Sequence, residues 1–179
     1  MSTIETLAEG KYLGLYSRDD WEFADRPNAT GVVGILPITD DGQLVLIEQY
    51  RFPVQSRVIE IPAGLVGDEE EFKGESLADC AARELLEETG YRAGVVTPLL
   101  SGPTSPGMTP EITHLFAATE LTRETEGGGT ESEDITVHHV PLDQLSDWLI
   151  QQQVDGRLLD NKIHASLWLA QTQGLLPPS

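Results

Sequence analysis

The sequence predicts an α/β sandwich, on three observations. Six β-branched-rich runs bounded by Gly, Pro or Asp read as strands. A helix with both ends marked lies between the third and the fourth of them. Two more helical stretches close the chain. Strands flanked by helices on both sides give a layered sandwich. With 179 residues the chain can form one domain, residues 1–179, with a sizeable core.

The strand runs are 31–38, 43–48, 58–61, 95–101, 112–118 and 135–140. Asp40-Asp41-Gly42 between the first two is a hairpin signal. Ile59-Glu60-Ile61-Pro62-Ala63-Gly64 reads as a strand entering a tight turn. The marked helix starts near Ser76, where Ser76 and Asp79 have capping-box spacing, and ends at Gly90 as a left-handed C-cap. Ala78, Ala82, Leu85, Leu86 and Thr89 form its expected inward face, with the acids outward. Stretches 142–153 and 158–173 read as helices, and Trp148 and Trp168 are expected to pack them onto the sheet. Residues 124–131, acidic and glycine-rich, read as a mobile loop.

Composition narrows the function classes. Eleven basic against thirty acidic residues give a net charge of −19. That disfavours nucleic acid and anionic membrane surfaces, which need basic patches. An anionic small substrate fits only if cations or local Arg residues neutralise the site. The single cysteine, Cys80, excludes an internal disulfide and reads as buried packing. No apolar run is long enough to span a membrane, and the N-terminus lacks signal-peptide features, so a cytoplasmic location is expected.

The chemistry concentrates in Arg83-Glu84-Leu85-Leu86-Glu87-Glu88-Thr89-Gly90-Tyr91. Helical neighbours lie three and four residues apart, so Glu84, Glu87 and Glu88 share one side. Such a cluster repels itself unless a cation sits in it. Hard oxygen donors suit Mg²⁺ or Mn²⁺.

From Glu75 to Tyr91 the chain is similar to the Nudix box, the signature of hydrolases that cleave nucleoside diphosphates linked to another moiety. Ten residues separate Gly64 from Glu75, where the box has five; the extra residues lie within 67–74, which reads as a longer exposed turn. The resemblance implies a Nudix-type α/β/α sandwich with a mixed sheet. It makes Glu84 and Glu88 metal ligands, with the Ala63 carbonyl beside them and Glu87 close behind. Arg83 orients the acids or is a structural ion pair. Glu75 anchors the loop or supports the ligands.

Further along, Pro106 lies 16 residues beyond Gly90, an offset that resembles the ADP-ribose pyrophosphatase subfamily. Gly107 and Glu111 extend the likeness, which spans about residues 10–173. It implies that Glu131 acts as base and Glu133 as metal ligand, two roles that could exchange. It implies an N-terminal hairpin, residues 1–28, that helps form a homodimer and stacks adenine on Trp21, unless Trp21 only packs an exposed edge. Arg51 contacts phosphates or makes a surface salt bridge. Glu60 bonds substrate or caps its strand. The implied reaction is hydrolysis of ADP-ribose, or a related nucleoside diphosphate sugar, to AMP and ribose 5-phosphate. UDP-glucose, GDP-mannose and dinucleoside polyphosphates are alternative substrates, and a non-catalytic nucleotide-sugar sensor is the alternative class.

Overall fold

The computed structural model describes residues 3–129 and 134–176. Three strands, β1 (Ile4–Glu9), β2 (Gly14–Arg18) and β3 (Trp21–Asp25), form an antiparallel sheet of their own. Asp19 and Asp20, both at positive φ, make the two-residue turn that matches strand twist. The expected hairpin is therefore a three-stranded meander.

Two mixed four-stranded sheets follow. One contains β4 (Val32–Pro37), and the other β5 (Gln43–Arg51) and β6 (Ser56–Glu60). The turn expected at Asp40-Asp41-Gly42 joins β4 to β5, with Gly42 at φ 78°. Beyond β6 the expected tight turn is instead a short strand, β7 (Ala63–Leu65), antiparallel to β4. Ala63 lies opposite Gly34 and Gly64 opposite Val33 in this ladder. Pairing with an edge satisfies the backbone there better than a turn would.

Helix α1 (Leu77–Thr89) has the expected ends. The Ser76 side chain accepts the Asp79 N–H, and Gly90 stands at φ 78°. Its buried face differs from expectation: Cys80, Ala81, Leu85, Glu88 and Thr89 face inward, while Ala78 is exposed. One of the three acids thus points into the protein rather than outward. After α1 come β8 (Tyr91–Arg92), β9 (Val95–Pro103), β10 (Ile112–Thr119), β11 (Thr122–Arg123) and β12 (Thr136–Pro141). The chain ends with α2 (Leu145–Val154), β13 (Leu158–Leu159) and α3 (Asn161–Thr172). Residues expected to open the last helix pair instead with β6 in parallel, and Asp160 caps α3 through the Lys162 N–H.

Strand orders are β7-β4-β10-β9 and β12-β5-β6-β13. Alternation on β4 and β10 creates the layers. Val33, Ile35, Phe116 and Ala118 face α1 with Cys80, Ala81 and Leu85. Leu36, Leu115 and Ala117 face the other way, toward β5, β6, α2 and α3. Trp148 packs against this second core as expected; Trp168 does not, being 65% exposed.

Residues 124–129 are pinned rather than loose. Gly128 and Gly129 donate their N–H groups to the carbonyls of Glu88 and Glu87 at 2.8 and 3.0 Å. These carbonyls lack partners within the helix. Gly127 comes so close that a Cβ would sit 2.4 Å from the Thr89 carbonyl carbon. Glu131 and Glu133 lie outside the described residues.

Candidate active site

The strand ending at Glu60, the short strand β7 and one side of α1 enclose a cleft of about 890 Å³. Arg51, Glu60, Ala63, Arg83, Glu84, Glu87 and Glu111 all line it. Seven of the expected site residues thus converge from distant parts of the chain.

Glu84 lies flat against the backbone of β7. A Cβ on Gly64 would stand 1.9 Å from the Glu84 carboxyl carbon, so glycine alone leaves room for this carboxylate. Burial pushes its carboxyl up to about 7, against the pull of Arg83. Glu88, 3% exposed, accepts the Ala63 N–H at 2.9 Å and ties α1 to β7.

Arg83 organises the acids. Its Nη2 donates to Glu75 at 2.9 Å and its Nη1 to Glu87 at 3.0 Å, with Glu84 Oε1 2.8 Å from the same Nη1. Burial alone would weaken the guanidinium charge, but the surrounding carboxylates raise its affinity for the proton. Glu75, Glu84 and Glu87 thus meet on one arginine.

Arg51 and Glu60 form a two-bond fork at 2.6 and 2.8 Å on the cleft wall. Arg51 is therefore in an ion pair and at the cleft at once; the readings are not exclusive. Glu111 pairs with Arg26 on the wall. Pro106, Gly107 and Trp21 line a second, smaller pocket of about 210 Å³ with Arg18 and Phe23. The Trp21 indole donates to the Gly107 carbonyl at 3.2 Å. Within one chain, then, the expected substrate residues fall into two pockets.

Several cleft residues were missed from the sequence. Arg26 and the Asp160–Lys162 pair line it, as do Asp68 and Glu69 of the turn 67–74. Asp160 had a signal, a capping residue before an apolar helix. Arg26 had none, because its partner lies 85 positions away. The turn 67–74 is exposed over most of its length, as expected, but its half-buried Phe72 ring lies 4.1 Å from the Arg83 guanidinium.

The donor chemistry suits a divalent cation. Cleft acids offer only hard oxygens, and burial still raises the Glu84 carboxyl although Arg83 lies beside it, so a further positive charge would favour its ionised form. Among the described residues no three His, Cys, Asp or Glu side chains gather around one point, because Arg83 draws Glu84 and Glu87 while Ala63 holds Glu88.

Residues 29–161 match the family profile described as the NUDIX domain. The chain belongs to the Nudix family of hydrolases. It is 35% identical over 150 residues to an ADP-ribose pyrophosphatase of Bacillus subtilis, covering 78% of this chain and 76% of that protein. It is 32% identical over 179 residues to a GDP-mannose pyrophosphatase of Klebsiella pneumoniae, covering 96% and 82%. A methanol dehydrogenase activator of Bacillus methanolicus is 35% identical over 147 residues, covering 82% and 75%. A crystal structure of an ADP compounds hydrolase superposes with a TM-score of 0.75 at 24% identity, over 96% of this chain and 91% of that one. At that identity the likeness concerns the Nudix fold. Among the described residues no helix is long and apolar enough to cross a membrane.

Proposed function

We propose that this Nudix chain hydrolyses the diphosphate bridge of a nucleoside diphosphate sugar, with ADP-ribose as substrate and AMP and ribose 5-phosphate as products. The observation that carries the reading is the single cleft holding Glu84, Glu87 and Arg83 together with Arg51. The names of the Bacillus and Klebsiella relatives support the substrate class. The second of them, aligned over 96% of this chain, makes GDP-mannose the rival substrate.

When bound, a divalent cation, Mg²⁺ or Mn²⁺, neutralises diphosphate oxygens and acidifies water. Glu84, Glu88 and the Ala63 carbonyl would hold it, with Glu133 as a further ligand. Arg83 keeps Glu84 and Glu87 oriented through its shared Nη1. Arg51, held by Glu60, presents its remaining donors to a phosphate oxygen. Glu131 takes the proton of the attacking water, and Glu133 is the alternative base. Pro106, Gly107 and Trp21 offer an apolar shelf for a nucleobase.

We extend the proposal to a homodimer. Leu7 and Leu15 are exposed on β1 and β2 and Leu13 in the turn that joins them, apolar side chains that a second copy would cover. The single-domain organisation over residues 1–179 and a cytoplasmic setting are part of the same reading.

The test is a nucleotide-sugar panel with Mg²⁺, in which alkaline phosphatase releases phosphate from the products. Highest kcat/KM with ADP-ribose is expected. Higher values with GDP-mannose would move the substrate assignment. No turnover of any nucleotide sugar would overturn the function.

A further inference from the structure

The turn 67–74 is where this chain departs most from Nudix-box spacing, and it is folded onto the site. Gly67 and Gly74 take left-handed conformations at its two ends, φ 69° and 86°. Between them, Glu70–Phe72 forms a 3₁₀ turn. The Phe72 N–H donates to the Glu69 carbonyl and the Glu75 N–H to the Phe72 carbonyl, both at 3.1 Å. A Lys73–Glu70 ion pair closes the same turn. Its entry is fixed as well, since Thr30 donates to the Val66 carbonyl at 2.9 Å and Val66 to the Gly31 carbonyl at 3.0 Å.

The outcome of this path is the ring of Phe72 against the guanidinium of Arg83, 4.1 Å from its centroid. Arg83 is bound in its own plane on every other side. Glu75 takes Nε and Nη2 at 3.3 and 2.9 Å, and Glu87 takes Nη1 at 3.0 Å. Glu84 lies 2.8 Å from Nη1, and Cys80 Sγ lies 3.5 Å from Nη2. These bonds fix the fork within its plane and resist tilting out of it only weakly. An aromatic face supplies the missing restraint, through cation–π attraction and stacking. Because Glu84 and Glu87 share Nη1, a tilt would move both carboxylates at once.

We infer that Phe72, brought in by the inserted turn, is a positioning residue that acts through Arg83 to set the orientation of the Glu84 and Glu87 carboxylates. The kinetic consequence rests on the proposed hydrolase reading; the effect on cation binding does not.

The test compares Phe72→Leu, which keeps apolar bulk, with Phe72→Tyr and Phe72→Trp, which keep an aromatic face. Mn²⁺ is titrated into substrate-free protein and free ion is followed by electron paramagnetic resonance. In parallel, kcat and KM are measured on the nucleotide sugar that the unaltered protein hydrolyses best. Phe72→Leu is expected to weaken Mn²⁺ binding and lower kcat, each about 3–10-fold, the scale of one such contact, with KM within about twofold. Phe72→Tyr and Phe72→Trp should keep both near the unaltered values. The inference is overturned if Phe72→Leu leaves both within about twofold, or if the aromatic variants fall as far as the leucine one, which would make Phe72 mere packing. It is also overturned if the unaltered protein shows no saturable Mn²⁺ binding. A protein that binds Mn²⁺ but hydrolyses no nucleotide sugar would sink the proposed function alone, and the Mn²⁺ titrations would still decide the role of Phe72.

Discussion

Glu84 couples the site to pH. Burial lifts its carboxyl from the usual 4.5 to about 7, so the folded chain holds this proton more tightly than the unfolded one. Its contribution is therefore fully present below the unfolded value and lost as pH rises through about 7. The difference is on the order of 3 kcal/mol. Melting curves in chelator should show stability declining across that window, and Glu84→Gln should flatten the decline. Saturating Mg²⁺ should oppose it, because a cation favours the ionised form. On turnover, Glu84→Gln should cost about 10²–10³-fold, by analogy with losing one donor of a charge-stabilising site. Glu88 separates two roles in another way. Glu88→Gln keeps an acceptor for the Ala63 N–H and should abolish turnover while the melting temperature barely moves. Glu88→Ala strands that N–H and should destabilise the chain by about 1–3 kcal/mol.

At the scale of elements, the contact between β7 and α1 decides the site. Gly64→Ala would place a methyl group where the Glu84 carboxyl now lies. The far end of a flexible side chain can swing aside, so stability should change little while kcat falls by about tenfold or more. Measuring kcat against melting temperature for this variant separates displacement of the carboxylate from unfolding. The same contact shows what was legible in the sequence. Helix α1 was, because Ser76 and Gly90 mark its ends locally and the helical period places the acids. Strand β7 was not, since three residues carry no period and become a strand only by pairing with β4. The inward turn of Glu88 was hidden for a similar reason: its partner, the Ala63 N–H, exists only once β7 has formed. Phe72 looked like part of a solvated acidic excursion, because an aromatic contact across 11 positions has no local signal.

Across the whole molecule, one buried charge ties the second sheet together. Glu48 on β5 is 4% exposed and lies 2.7 Å from Arg57 of β6, 3.0 Å from His138 of β12 and 3.1 Å from Arg157 before β13. Burial pushes its carboxyl up, but hydrogen bonds with Arg57 and His138 and the charge of Arg157 outweigh that and hold it below the usual value. Its stabilisation is present above about pH 4.5 and lost as pH falls through the lowered folded value. Glu48→Gln should cost about 2–3 kcal/mol in thermal unfolding at neutral pH, modest for a buried network because both arginines stay partly in water. The variant should also lose its acid sensitivity below that pH. None of this network was legible beforehand, for its four residues come from four separate parts of the chain.

The N-terminal meander has no comparable interior. Every residue of β1 is exposed, and Gly14 is the one buried residue in its three strands. Opening such a sheet costs far less than unfolding the sandwich. In heavy water its amides should take up deuterium while β4, β5 and β10 still keep their protons. If two copies clasp through that sheet, the uptake slows as the sample is concentrated, so labelling at two dilutions reports quaternary structure strand by strand.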